Sequence, residues 1–496
     1  MTNSLLPRVV FRANGNSQIG LGHVVRCLAL ADMLQSDFTC VFAIQEPDEQ
    51  VEKQISKGCA EVWLVPSFSN LQEEAEWLLQ QLRPTDIVVL DGYHFTPAYA
   101  YSLWSRPQPV VNIDDLLAQD QWSDVVINQA GGIKPGTYQT VPGAELCLGP
   151  AYALLRRPFQ FAAQKAASIP DVQQVFLNMG GADPHNHTLT LLHQLRQRFP
   201  GKAIEVVTGA AYPHQADLEQ QIQDLKHVTL HHNIPAEKLA ALLHRCGIHV
   251  CPPSGMAYEC CAVGGLLFLH PIADNQRYLL AYLTEAKLAL PYSELAHVPE
   301  AELLPLAQSM TQRQRQVFDG AAGSRFRKVF EALYGSYQLT IRHAQSSDAA
   351  QYFTWANDPA VRRNAIHTAP IEWDVHVRWF SRRVAATDSF LYIFEQVDQA
   401  VGQVRIDFEE SVGTIDYSVA AAYRGQGMGL AILRRALGLL RREKQGAWTL
   451  LGQVKSDNLA SCRVFQRLGF IQQPTIRQHD ENYEVFRLEV ASVNIP

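Results

Sequence analysis

No stretch of this chain holds the ~20 consecutive apolar residues that a membrane-crossing helix requires. Its first residues also lack the pairing of a basic segment with a long apolar one that marks an export signal, so a cytoplasmic protein without a membrane partner is expected. An excess of positive charge is missing too. The 42 Lys and Arg residues face 49 Asp and Glu residues, for a formal net charge of -7, which excludes a broad electrostatic surface for a nucleic-acid backbone. Low-complexity tracts are absent, and 47% apolar against 18% charged residues argues against disorder. The nine cysteines are odd in number and irregular in spacing, which fits reduced thiols better than a disulfide framework. What the 496 residues do contain is material for two or three separate cores.

Between residues 9 and 333, short β-branched runs alternate with amphipathic helical stretches, the pattern of a parallel α/β sheet. One series comprises residues 9–11, 39–43, 87–90, 110–113 and 125–127. A second comprises residues 175–177, 203–207, 228–230, 248–250 and 266–269. Two Rossmann-like halves are expected, at 1–156 and 157–335, joined within residues 156–170. Parallel sheets collect ligands beyond the carboxyl ends of their strands, so the groove between the halves is the expected site. From residue 338 the pattern changes to alternating antiparallel strands with helices, predicting an α+β domain over 338–492.

The first chemical motif follows strand 9–11 directly. Gly15, Gly20 and Gly22 precede His23 at the mouth of a helix running to about Leu34. Glycines let the backbone approach a ligand, and a helix N-terminus favours an anion such as a diphosphate. An imidazole there can take a proton from water or meet a departing phosphate; taken alone, a simple capping turn would look the same. Polar groups recur at other strand ends: Asp114-Asp115, Asn128-Gln129, Gly180-Gly181, Ser254-Gly255 with Glu259 beyond, and Asp274-Asn275-Gln276. Singly these are turn residues; together they favour a nucleotide-sugar site. His244, Cys246, His249 and Cys251 lie close in sequence but lack paired ligand spacing, and no metal is expected there.

These segments, together with residues 148–156, resemble the pseudaminic-acid pathway hydrolases that remove UDP from UDP-2,4-diacetamido-2,4,6-trideoxy-β-L-altropyranose. The resemblance covers nearly all of the first 330 residues. It implies a GT-B-like pair of domains, no metal, and attack of water at the anomeric carbon. His23 would act on that water or on the leaving phosphate, with Asn275 near the water and Gln276 beside it. Arg12, Gly20, Gly22, Asp114, Asn128, Gly181 and Ser254 would contact substrate, and Glu259 stands where the fold's ribose-binding acid lies. One departure is Ser254-Gly255-Met256 in place of the family's Gly-Ser-Thr turn.

A second motif, Arg424-Gly425-Gln426-Gly427-Met428-Gly429, lies between a strand ending at Val419 and a helix. Successive amides at such a turn can wrap a pyrophosphate. With Asn458 and the downstream Leu468-Gly469-Phe470, it resembles the GNAT acetyltransferases over about residues 338–490. The resemblance implies acetyl-CoA as cosubstrate, bound through Arg424, Gly425, Gln426, Gly427, Met428 and Gly429, with Asn458 on the pantetheine arm. The Val419 N–H would meet the thioester carbonyl. Phe465 replaces the family's usual tyrosine acid, leaving Tyr417, Asp407 and Asp416 as candidates. The nearest likeness within that family is to the pathway enzyme acetylating the C4 amine of UDP-4-amino-4,6-dideoxy-N-acetyl-β-L-altrosamine, in which His376 would meet the nucleotide. Ala356 stands where some members carry a nucleotide-contacting arginine, with Arg362 or Arg363 as replacements.

A bifunctional enzyme is therefore expected, acetylating a UDP-linked amino sugar and then releasing UDP. Two alternatives stay open. One is a GT-B glycosyltransferase fused to an acetyltransferase for another amine; the other is a hydrolase with a non-catalytic CoA-binding module.

Overall fold

The computed structural model describes residues 6–16, 21–117, 120–165, 171–223, 225–478 and 480–492, and the backbone but not the side chain of Asn275. Gly20 and part of the expected join, residues 166–170, lie outside the described residues. The first sheet has seven parallel strands in the order Glu61–Leu64, Thr39–Ile44, Arg8–Ala13, Ile87–Asp91, Val110–Ile113, Val125–Asn128 and Glu145–Leu148. Its central strands are largely apolar because both faces are covered. Helix Gly22–Leu34 buries Val24, Cys27, Ala31 and Leu34 against it, at the spacing of one helical stripe.

Helix Ala322–Tyr337 follows the second sheet in sequence yet packs Phe326, Phe330 and Leu333 into this first core. Each such side chain contributes roughly 1.5–3 kcal/mol by leaving water. The chain thus crosses back to close the core it began.

The second sheet is also parallel, ordered Val228–His232, Ala203–Thr208, Asp171–Leu177, Cys246–Cys251, Leu266–Leu269 and Leu290–Pro291. Both parallel sheets are Rossmann-like, since their first strand lies in the middle and successive strands extend to either side. The crevice of such a sheet opens where the order reverses. In the first sheet that is between Arg8–Ala13 and Ile87–Asp91; in the second it is between Asp171–Leu177 and Cys246–Cys251.

The third sheet runs Thr340–His343, Ser389–Gln396, Gln399–Glu409, Val412–Val419, Trp448–Lys455, Glu481–Val490 and Ile471–Gln478. Its pairs are antiparallel except one. Strands Val412–Val419 and Trp448–Lys455 run parallel and pair only from Val412 to Thr414, after which they part. Helix Met428–Glu443 covers this sheet with Leu430, Leu433, Leu437 and Leu440.

Candidate functional site

The reversal point of the first sheet brings His23, in the first turn of its helix, against Asp91 at the end of its strand. His23 Nδ1 lies 2.7 Å from Asp91 Oδ1. Asp91 is fully buried and also accepts Arg26 Nε and Nη2 at 2.6 and 2.5 Å. Arg26 Nη1 continues to Asp115 at 2.6 Å, and Asp115 accepts the Tyr93 hydroxyl at 3.1 Å. Burial opposes the Arg26 charge, but the bonds to Asp91 outweigh it and hold the guanidinium protonated. The Tyr93 ring meets the imidazole edge-on, 4.6 Å between centroids. A proton on Nδ1 donated to Asp91 leaves Nε2 as the basic nitrogen. The imidazole keeps 21% of its surface exposed, and among the described residues a Cβ on Gly22 would meet no neighbour. Sequence reasoning missed Asp91, Arg26 and Tyr93; a carboxylate ending a β-run was the available signal, as it was for Asp114.

Three residues expected to contact substrate are held by bonds to the scaffold. Arg12 is fully buried, its Nε on Glu74 at 2.8 Å and its Nη1 on Asn14 Oδ1 at 2.6 Å. An arginine so placed neutralises a buried carboxylate and braces the loop; it does not face the groove. Asn128 is buried, donating to the Tyr138 hydroxyl at 2.7 Å and accepting from the Ala130 amide. Asp114 accepts that same Tyr138 hydroxyl at 2.7 Å. Both therefore shape the turn beyond their strands.

In the second half, Gly180 takes φ +91, which favours glycine, and a Cβ at Gly180 or Gly181 would meet nothing. Ser254 caps helix Gly255–Val263 by accepting the Met256 amide. These two turns flank the crevice of the second sheet. Glu259 is buried and gripped by Arg156 through two bonds of 2.7 Å. Burial raises its carboxyl while Arg156 opposes that rise. Gln276 folds onto the Ile272 amide at 2.8 Å, stabilising its own turn. His187, opening helix His187–Arg198, lies beside His270 with 3.3 Å between Nδ1 and Nε2. Neither histidine was selected from the sequence. The halves also touch directly: the Tyr258 hydroxyl donates to Gln129 O and the Tyr278 hydroxyl to Gly131 O. His249 is buried with Nε2 against the Leu243 and Cys246 carbonyls, and among the described residues no three His, Cys, Asp or Glu gather as metal ligands.

The third sheet makes a second site at its parting strands. Ala420 N donates to Val401 O, so by strand alternation the Val419 N–H, one residue earlier, points away from that neighbour and into the splay. Arg424 fixes this end, its Nε donating to Val419 O at 2.9 Å and its Nη2 lying 3.0 Å from Asp358. Its side chain therefore braces the strand, leaving the turn's backbone to meet an anion. Gly425 and Gly427 have φ of +77 and +78 in open space. Gly429 instead makes room for Tyr417, whose ring a Cβ would approach to 3.2 Å. Gln426 turns back to Ala422 O. The amides of residues 425–429 have no acceptor among the described residues, as expected where the first turn of helix Met428–Glu443 begins. This turn and splay fit the pyrophosphate and arm of a CoA thioester.

Asn458 caps helix Leu459–Arg467 by accepting the Ser461 amide. Phe465 is buried against Phe486 and Phe470. The Tyr417 hydroxyl reaches across to Ser461 Oγ at 2.8 Å. His376, expected at the nucleotide, is buried with Nε2 on Ala349 O at 2.9 Å, among Phe353, Trp373, Trp379 and Phe380. Apolar packing at helical spacing claimed it.

Residues 338–471 match the model of the acetyltransferase (GNAT) domain, and the chain carries a GNAT acetyltransferase domain there. Over 96% of its length it is 20% identical to an uncharacterized protein of Methanocaldococcus jannaschii, covering 99% of that protein. Over 65% of its length it is 22% identical to a spore coat polysaccharide biosynthesis protein of Bacillus subtilis, covering 97% of it. Over 46% of its length it is 24% identical to the UDP-2,4-diacetamido-2,4,6-trideoxy-beta-L-altropyranose hydrolase of Campylobacter jejuni, covering 76% of that enzyme.

Proposed function

We propose that the chain is a bifunctional nucleotide-sugar enzyme of pseudaminic acid biosynthesis. It acetylates the C4 amine of UDP-4-amino-4,6-dideoxy-N-acetyl-β-L-altrosamine and then hydrolyses the product to UDP and the free diacetamido sugar. Residues 1–156 and 157–335 are read as the halves of a GT-B-like hydrolase, a reading supported by the return of helix Ala322–Tyr337 to the first core. The observation that carries the proposal is the His23–Asp91 pair at one reversal point, on the same chain as a glycine turn and splayed strands suited to CoA.

His23 Nε2 takes a proton from the water attacking the anomeric carbon, and Asp91 stabilises the imidazolium formed. Asn275 is assigned to that water. The departing diphosphate is received by the amides at Gly181 and at Ser254-Gly255, where helix dipole and free N–H groups favour charge. For transfer, acetyl-CoA supplies the activated acyl group. The Val419 N–H stabilises the oxyanion that develops as the amine attacks, and the Tyr417 hydroxyl, backed by Ser461, provides the proton that Phe465 cannot.

Mass spectrometry of products from the UDP-linked 4-amino sugar, with and without acetyl-CoA and with no glycosyl acceptor, tests this. Expected products are CoA, UDP and the free diacetamido sugar. UDP release only after an acceptor is added would instead assign a glycosyltransferase.

A further inference from the structure

Helix Met428–Glu443 turns a cationic face away from its own sheet and toward the first one. Arg434 on that face is matched: its Nη2 lies 2.6 Å from Glu145 Oε2 and its Nε donates to Gly143 O. Arg435 and Arg442 have no acidic partner among the described residues. Arg435 stands over the Tyr337 ring, 3.8 Å from its centroid, and donates no hydrogen bond to the described residues. Arg442 lies over Trp104, 4.6 Å from its ring, and gives Nη2 to Trp104 O at 2.5 Å. The Nε atoms of both arginines are buried without an acceptor.

These side chains line a cavity of about 360 Å³ between helix Met428–Glu443 and the segment 104–107, with Ser105 and Arg106 on the far wall. The one acid lining it, Asp124, already accepts the Tyr337 hydroxyl at 2.8 Å and the Val110 amide at 2.9 Å. Cationic side chains therefore outnumber acidic ones along this lining. A guanidinium stacked on a ring keeps its in-plane N–H groups for a second partner, and that fork matches phosphate oxygens. The volume sits at the lower end of small-molecule sites, which suits a diphosphate or a mononucleotide and excludes a whole CoA.

We infer that this cavity binds a diphosphate-bearing anion no larger than a mononucleotide. The anion would be held by Arg435 and Arg442 on one side and Ser105 and Arg106 on the other, tying the acetyltransferase domain to the first sheet. The site is separate from both reaction centres and does not depend on which sugar they process.

Calorimetric titration of the full chain with inorganic pyrophosphate, and separately with UDP, in phosphate-free buffer at low ionic strength tests it. Arg435→Gln and Arg442→Gln should each remove, or weaken about tenfold or more, one class of site present in the unmodified protein. Arg435→Lys should retain part of it, and the KM for acetyl-CoA should stay unchanged in all three. Loss with both probes assigns a nucleotide-sized ligand, and loss with pyrophosphate alone assigns the bare diphosphate. Isotherms that coincide for the unmodified protein and both glutamine variants, each folded by its melting curve, overturn the inference.

Discussion

Replacing Asp91 with asparagine isolates the step on which the hydrolase reading depends. The side chain keeps its shape and an oxygen for Arg26, which also retains Asp115 at 2.6 Å, so the fold should survive with a lowered melting temperature. What is lost is the charged acceptor 2.7 Å from His23 Nδ1. A hydrogen bond to a charged group contributes roughly 1.5–3 kcal/mol, which converts to a rate loss of about 10- to 150-fold. The loss grows if the new amide N–H turns toward the imidazole and favours the other tautomer. UDP release and thiol release can be followed in one sample, so acetyl transfer serves as the internal control and should stay within about twofold of the unmodified rate. Because the two residues act as a unit, His23→Ala with Asp91→Asn should be no slower than His23→Ala alone. Full UDP release by Asp91→Asn, or losses that multiply in the double variant, would refute the pairing.

Gly427→Val meets no steric obstacle but forces φ +78 on a β-branched residue, a strain of about 1–2 kcal/mol. Its expected effect is a raised KM for acetyl-CoA with UDP release intact; an unchanged KM would count against the phosphate turn. Tyr417→Phe should slow CoA release about tenfold or more, and adding Phe465→Tyr should restore it; an undiminished rate would return that proton to solvent. Burial pushes the Tyr417 phenol above its ordinary 10.0, so it stays protonated and acetyl transfer should show no loss from this group below about pH 10. Burial resists the charge on Asp348, but the Arg342 fork at 2.7 and 2.9 Å outweighs it and holds the carboxyl below its ordinary 3.8. A depressed carboxyl stabilises the fold at neutral pH and ceases to as pH falls through its folded-state value. Arg342→Met should therefore lower the melting temperature by about 2–4 °C at pH 7, with the gap to the unmodified protein narrowing once the pH falls below the ordinary 3.8.

The strands that could be read from the sequence are those buried on both faces. Leu266–Leu269 is apolar throughout and Val110–Ile113 apolar but for Asn112, and no other element fits so short a run between turns. Two edge strands escaped because one side faces water: Glu61–Leu64 is largely exposed, and Ile471–Gln478 is polar and interrupted by Pro474. The glycine-rich approach to His23 was visible for a similar reason, since backbone geometry is written locally. Partners were not. Asp91 stands 68 residues from His23 and becomes its neighbour only because the sheet order places strand Ile87–Asp91 beside Arg8–Ala13. Arg12 looked like a ligand because nothing nearby in sequence shows Glu74 waiting on helix Leu71–Gln81. The burial of His376 was legible, since Trp373, Trp379 and Phe380 surround it at helical spacing and mark a packed face.

Phe465 illustrates the same limit from the side of chemistry. Matched position by position, helix Leu459–Arg467 has lost its acid, and the acetyltransferase domain reads as a binding module. On the reading proposed above, a phenol comes from the opposite arm: Tyr417 leaves strand Val412–Val419, passes the close contact that Gly429 permits, and bonds Ser461 on that helix. Its ring meets Phe465 edge-on, 6.1 Å between centroids. A proton donor is defined by where its oxygen stands relative to the leaving group, and two strands that part after Thr414 leave room for that oxygen to arrive from either one.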